Sequence, residues 1–229
     1  MDISTRLKVI ASMVDKCEVL VDVGTDHAYI PIYLVKKGIC QRAIASDINK
    51  GPVEKAKFNV AMEGLKEEIQ CRLGGGFSTI KPSEANVAVI AGMGGNLIRD
   101  IILEREEVFK SLQYAVLQPV QNPEVLREFI YQRGYEILDE ELCFEEEKYY
   151  QIIKVRFNNK PIKVKDIYYE VGQKLIEKKH PLLKDFLMHL INKNEKILNA
   201  IKDDTELARK RKMQISNKLK ELKELISCV

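Results

Sequence analysis

The chain has 229 residues, room for one sizeable α/β domain and a smaller appendage. Its 45% hydrophobic and 31% charged residues are those of a soluble globular protein, and no apolar run approaches a membrane span. The net charge of +3 hides an asymmetry: residues 160–229 hold 17 Lys/Arg against 10 Asp/Glu, net +7, while residues 1–159 hold 20 against 24, net −4. The opening Met1-Asp2-Ile3-Ser4-Thr5-Arg6 lacks a signal peptide's apolar core. Five scattered cysteines (Cys17, Cys40, Cys71, Cys143, Cys228) contain no C-x-x-C, which fits a reducing, cytoplasmic setting and argues against structural zinc or a disulfide framework. The three histidines, His27, His180 and His189, form no H-x-x-x-H pair, so no catalytic metal is expected.

In chain order, residues 4–14 predict an amphipathic helix, with Leu7, Ile10, Ala11 and Val14 at helical spacing and Ser4 or Thr5 as N-cap. Residues 19–23 predict the first strand and 28–37 the helix after it, with Pro31 in its first turn and Gly38 at its end. A second strand at 42–46 leads into a helix at 51–63, where Pro52 stands near the start. Strands follow at 69–73 and 87–91, then a helix at about 96–104 and a strand at 114–118 capped by Pro119. A helix at 122–133 begins with Pro123 and ends at Gly134. Two strands, 136–144 and 149–157, joined by Glu145-Glu146-Glu147-Lys148, read as an antiparallel hairpin. Five strands alternating with helices, then a late hairpin, predict a doubly wound α/β sheet of the class I methyltransferase order.

After Asn158-Asn159-Lys160-Pro161 the composition shifts, dividing the chain into residues 1–160 and a helical domain at 161–229. A short helix is expected at 166–179, then long helices at 182–201 and 205–227 joined through Asp203-Asp204. Ile215, Leu219, Leu222 and Ile226 make a narrow seam that Leu183, Phe186, Leu187, Leu190, Ile191, Ile197 and Ile201 can face. The short connection implies an antiparallel coiled coil. Its basic run Arg209-Lys210-Arg211-Lys212 spreads around the helix, so at least two of these cations face outward. A basic appendage on a mildly acidic domain suggests a nucleic-acid partner; a solvated, lysine-rich surface is the alternative.

The chemistry-bearing residues cluster where strands end. An apolar run delivers Asp22, turns at Gly24 and enters a helix; a second delivers Asp47. In open α/β sheets ligands bind beyond the carboxyl ends of strands, and an acid at the second strand's end suits a ribose diol. G-x-G-x-x-G is missing, and Asp22 and Asp26 would repel a pyrophosphate while suiting the cationic methionine end of S-adenosyl-L-methionine (SAM). SAM is therefore preferred over NAD; the competing account is a buried strand with two solvated acids.

These segments together resemble the bacterial TrmK family, SAM-dependent methyltransferases that modify N1 of adenine 22 of tRNA. The resemblance is carried by Ser4-Thr5-Arg6-Leu7, the run from Asp22 through Gly24-Thr25-Asp26-His27-Ala28-Tyr29 to Pro31, Ser46-Asp47-Ile48-Asn49 with Gly51-Pro52, Ala91-Gly92-Met93-Gly94-Gly95, Leu117-Gln118-Pro119 and Glu147-Lys148-Tyr149-Tyr150. It runs essentially end to end, since the family also carries a C-terminal helical coiled coil. It implies that Asp22, Gly24, Thr25, Asp26 and His27 line the methionine side of SAM and that Asp47 takes the ribose hydroxyls, with Ile48 packing on adenine. Gly75, Gly76 and Phe77 would border the adenine ring, and Ala91, Gly92, Met93 and Gly94 would complete the site. Where relatives often carry an acidic or amide side chain in the third loop, this chain has Gly75, so a side-chain acceptor for the cofactor's amino group is missing.

Ala91–Gly95 stands where adenine-N6 methyltransferases carry an Asn/Asp-Pro-Pro-aromatic motif, and its absence favours a ring nitrogen. Asp26 is the candidate for stabilising the cationic product, and His27 for orienting the base or accepting a proton later. Asp26 can equally only bind the SAM amine, and His27 only cap the helix. Tyr29 is a candidate stacking partner for an extruded base, or core. Two rivals remain open: a SAM-dependent enzyme acting on another RNA or a small molecule, and a non-catalytic SAM-binding assembly module.

Overall fold

The computed structural model describes residues 2–227; Met1, Val229 and the fifth cysteine, Cys228, lie outside the described residues. Two compact units divide the chain, one up to Lys163 and one from Val164.

The first unit is built on a seven-stranded sheet. Its strands are β1 (Cys17–Val23), β2 (Cys40–Asp47), β3 (Ile69–Leu73), β4 (Val87–Gly94), β5 (Tyr114–Gln121), β6 (Tyr135–Glu145) and β7 (Lys148–Phe157). They lie in the order β3-β2-β1-β4-β5-β7-β6. The first five pair in parallel, and β7 inserts antiparallel between β5 and β6. The expected class I methyltransferase architecture is thus what the chain adopts. Strand order reverses between β1 and β4, which makes their carboxyl ends the switch point where α/β sheets open a crevice.

Alternation along the strands serves two layers. Leu20, Ala43, Val87, Val89 and Val116 share one buried cluster with Ile10 of α1 (Thr5–Ser12), Ile32 and Leu34 of α2 (Tyr29–Lys36), and Ala56 and Val60 of α3 (Lys50–Met62). The alternate residues Val21, Val23, Ala88 and Ile90 are equally buried. On their side α4 (Gly95–Glu104) and α6 (Pro123–Gln132) pack on the sheet.

Several boundaries differ from expectation. β4 continues past Ala91 to Gly94, and β5 passes through Pro119 to Gln121, because register shifts at Ala91/Met93 and Met93/Gly94 accommodate the proline. A short helix, α5 (Glu106–Ser111), follows Arg105 and was not expected; six residues carry too little periodicity to announce themselves. The hairpin turn is only Glu146-Glu147, both at positive φ (49° and 58°). Such turns match the twist of paired strands but normally take Asn-Gly, so two glutamates there hold strained backbone.

The second unit holds α7 (Asp166–Val171), α8 (Gln173–Glu177), α9 (Leu183–Ala200) and α10 (Glu206–Ser227). The single helix expected at 166–179 is two, because Gly172 takes φ 91°, a conformation open to glycine and closed to a helix. α9 and α10 pack together, and the link 201–205 is too short to return along an eighteen-residue helix of about 27 Å, so they run antiparallel. Leu183, Phe186, Leu187, Ile191, Ile215, Leu219 and Leu222 are buried as the seam predicts. Leu190, Ile201 and Ile226 are only half-buried, and Ile197 is 36% exposed. The helices are staggered: Lys223 near the end of α10 pairs with Glu195 of α9 at 2.7 Å, and no residue in 206–214 is buried. The first turns of α10 therefore extend past α9. No helix among the described residues is long and apolar enough to cross a membrane.

Candidate active site

The turn after β1 is fixed by its neighbour strand. Gly24 and Thr25 both donate their backbone N–H to the Ser46 carbonyl, at 2.8 and 2.9 Å. Gly24 takes φ 77°, where any L side chain is strained, and a Cβ there would also displace the Met93 methyl. This turn presents Asp22, which is 6% exposed, at the base of the cleft. Burial, and the nearby Asp47 charge, push the Asp22 carboxyl up to about 6, against the opposing hydrogen bond from Thr25. Thr25 also accepts from the Ala28 N–H at 3.2 Å. The N-cap of α2 is Ala28 and no side chain caps the helix, which corrects the capping role considered for His27.

Ala28 sits left-handed at φ 57° between His27 and Tyr29, whose rings stack at 4.9 Å and 7°. Tyr29 is 39% exposed, so it is a surface ring and not core. Asp26 is solvated, its side chain 69% exposed, 3.4 Å from His27 Nε2 and 3.9 Å from Lys55 Nζ.

A cleft of about 460 Å³ brings together Asp22, Gly24, Thr25, Asp26, His27, Tyr29, Ala91 and Gly92. It also recruits residues to which no role was assigned from sequence: Arg6, Glu145, Glu146 and Tyr150. Arg6 ties the wall together. Its Nη1 donates to Gln118 Oε1 at 2.7 Å, its backbone N–H donates to Glu145 Oε1 at 3.1 Å, and its guanidinium lies 5.3 Å from the Tyr150 ring centre. Gln118, fully buried, also accepts from the Gly92 N–H at 3.2 Å and donates to the Pro119 carbonyl. Partners 112 and 139 residues apart leave no local pattern. The one available signal was Gln118 itself, a polar residue in a buried strand.

The remaining candidates lie outside that cleft. Asp47 ends β2, where its side chain accepts from the Asn49 N–H at 2.7 Å and its carbonyl from the Gly74 N–H at 2.9 Å. A Cβ on Gly75 would come within 3.1 Å of Ile48, so the glycine loop approaches Ile48 closely. A Cβ on Gly76, at φ 52°, would come within 3.2 Å of Ile101. Phe77 is 1% exposed and edge-on to Phe109, so its ring supports this loop from the core and is not open to a ligand. Gly94 precedes α4 and faces Gln121.

In the second unit, Arg209 pairs with Asp204 at 2.6 Å, and Lys212 donates to the Asp203 carbonyl at 3.3 Å. Lys210 and Arg211 are exposed.

Known proteins match this chain nearly end to end. The sequence profile of the TrmK family, described as tRNA (adenine(22)-N(1))-methyltransferase, matches residues 20–224. The Bacillus subtilis tRNA (adenine(22)-N(1))-methyltransferase is 31% identical over 98% of this chain and 97% of its own. A putative tRNA (m1A22) methyltransferase of Streptococcus pneumoniae, solved with S-adenosyl-L-methionine, superposes with a TM-score of 0.87 at 31% identity, covering 98% of this chain and 100% of that one. TrmK of M. capricolum, solved with S-adenosyl-homocysteine, superposes with a TM-score of 0.83 at 27% identity, covering 98% and 99%.

Proposed function

Because the chain belongs to the TrmK family, we infer that it is a SAM-dependent methyltransferase acting on N1 of adenine 22 of tRNA. The observation that carries the reading is Asp22. It is a buried carboxyl at the base of the cleft, pushed up to about 6 chiefly by burial. Such a group is completed by an ammonium, which the methionine end of SAM provides. The residues fit the rest of that cofactor too. Asp47 offers a carboxylate for a ribose diol, and Ile48 beside it, 70% exposed, offers an apolar surface to a flat base. When bound, SAM supplies an electrophilic methyl on a sulfonium.

The chain's own residues position the other reactant. Adenine N1 carries an in-plane lone pair, so no proton must leave before attack, and alignment is the main task. N1 lies on the pairing edge, so the base must be unpaired or extruded to reach the cleft. The stacked His27–Tyr29 pair gives it a flat platform, which the left-handed Ala28 between them holds at some backbone cost. The methylated base is cationic, and Asp26 beside His27 supplies negative charge for it. The basic end of α10 in the second unit, Arg209 to Lys212, is assigned to tRNA phosphates.

The test is methylation of an unmodified tRNA transcript with labelled SAM, followed by nucleoside mass spectrometry. N1-methyladenosine at position 22 is expected. Methylation at another base, or none, overturns the reading.

A further inference from the structure

Resting on that functional reading, we propose that Arg6 binds the backbone phosphate of the extruded nucleotide. The cleft is lined by four carboxylates, Asp22, Asp26, Glu145 and Glu146, and among its lining residues Arg6 is the one Arg or Lys. A polyanion delivering a base into this cleft meets like charge on most of the wall. Its phosphate is best placed against the single guanidinium.

Arg6 is prepared for the task. Gln118 holds Nη1 at 2.7 Å, and Tyr150 lies under the guanidinium plane. A guanidinium fixed in this way loses little freedom on binding, and its fork matches a phosphate's oxygens. The side chain is 25% exposed, and Nε stands 3.9 Å from Glu145 Oε2, beyond hydrogen-bond distance. The ion pair therefore restrains Arg6 without using up its donors. Gln118 also holds Gly92, so the same amide sets the position of the phosphate anchor and of the irregular end of β4. The charge does not belong beside adenine N1, where positive charge develops and a cation would oppose it. A phosphate, already negative before and after transfer, is the partner that fits.

Steady-state kinetics with a tRNA transcript tests the assignment. Arg6→Gln should raise KM for tRNA on the order of tenfold, the loss of one charge-assisted pair, while kcat changes little and SAM affinity by calorimetry is retained. Arg6→Lys should recover part of the loss. Glu145→Gln keeps an acceptor for the Arg6 N–H but removes the competing charge, so it should lower KM; it reads out the same contact if Arg6 variants fold poorly. A tRNA carrying a methylphosphonate at the target nucleotide should impair the unsubstituted enzyme and leave Arg6→Gln unaffected further. An unchanged KM in Arg6→Gln, a loss confined to kcat, or methylphosphonate and Arg6→Gln effects that multiply would each overturn the phosphate contact while leaving the functional reading intact. No methyl transfer by the unsubstituted protein would overturn both.

Discussion

The two units of this chain handle charge in opposite ways. In the unit up to Lys163, the decisive charges are carboxylates at strand ends, one of them buried, around a cleft with a single cation. In the helical unit the excess is positive, 15 Lys/Arg against 10 Asp/Glu over residues 164–229, net +5, and it includes an exposed helix end where Lys210 and Arg211 face solvent. A buried acid selects a small cationic ligand by desolvation and geometry. An exposed cation pair selects little, yet attracts any nearby polyanion over a Debye length. On the function proposed above, the difference would separate recognition of a cofactor from capture of a nucleic acid.

Truncation should break that comparison most sharply. A chain ending at Lys163 is expected to keep SAM binding, since Asp22, Asp47 and the sheet lie within it, and to lose tRNA affinity by on the order of a hundredfold at physiological salt. Filter binding across a salt series and calorimetry with SAM measure the two sides. Equal tRNA affinity in both forms would return RNA capture to the sheet unit. Within that unit, Asp47→Ala should weaken SAM by roughly 1.5–3 kcal/mol, and an unchanged affinity in a folded variant removes Asp47 from the ribose site.

How far the sequence anticipated these features depended on the range of the interaction. Apolar alternation and glycine turns are local, so the five parallel strands, Asp22 at the end of β1 and Asp47 at the end of β2 could be read directly. Features set by distant neighbours could not. Phe77 looked like a loop aromatic but is claimed by Phe109 in the core. Ile197 has the spacing to face the α10 seam, yet it is 36% exposed in the packed pair. Arg6, Gln118, Glu145 and Tyr150 meet only once α1, β5 and the hairpin are assembled. Spacing showed that at least two cations of the basic run face outward, but not that Asp204 and the Asp203 carbonyl engage Arg209 and Lys212.

Two smaller effects sharpen the picture. Asp26→Asn should lower turnover about tenfold if its charge faces the developing cation. A rise in KM for SAM at constant turnover would make it a cofactor-binding residue. Replacing Lys210 and Arg211 with glutamine should weaken tRNA binding modestly and reduce the salt slope by about two phosphate contacts. Replacing Arg209 alone should do less, because Asp204 already neutralises it. A slope indifferent to all three would make the run a structural surface.

Asp22 carries a thermodynamic consequence beyond binding strength. Its carboxyl titrates near 6, above its ordinary range. Between that ordinary range and about 6, the folded protein retains a proton that the unfolded chain has released, so without ligand its stability should fall as pH rises through this window. An ammonium at Asp22 requires the ionised form, so near pH 6 cofactor uptake is also proton expulsion. The heat measured on adding SAM should then vary with the ionisation enthalpy of the buffer at pH 6, and the proton release should fade towards pH 7 as Asp22 ionises on its own. Affinity should climb between pH 5 and pH 7, and Asp22→Asn should abolish both dependences. The cofactor site is thereby coupled to the proton activity of its surroundings through a single side chain.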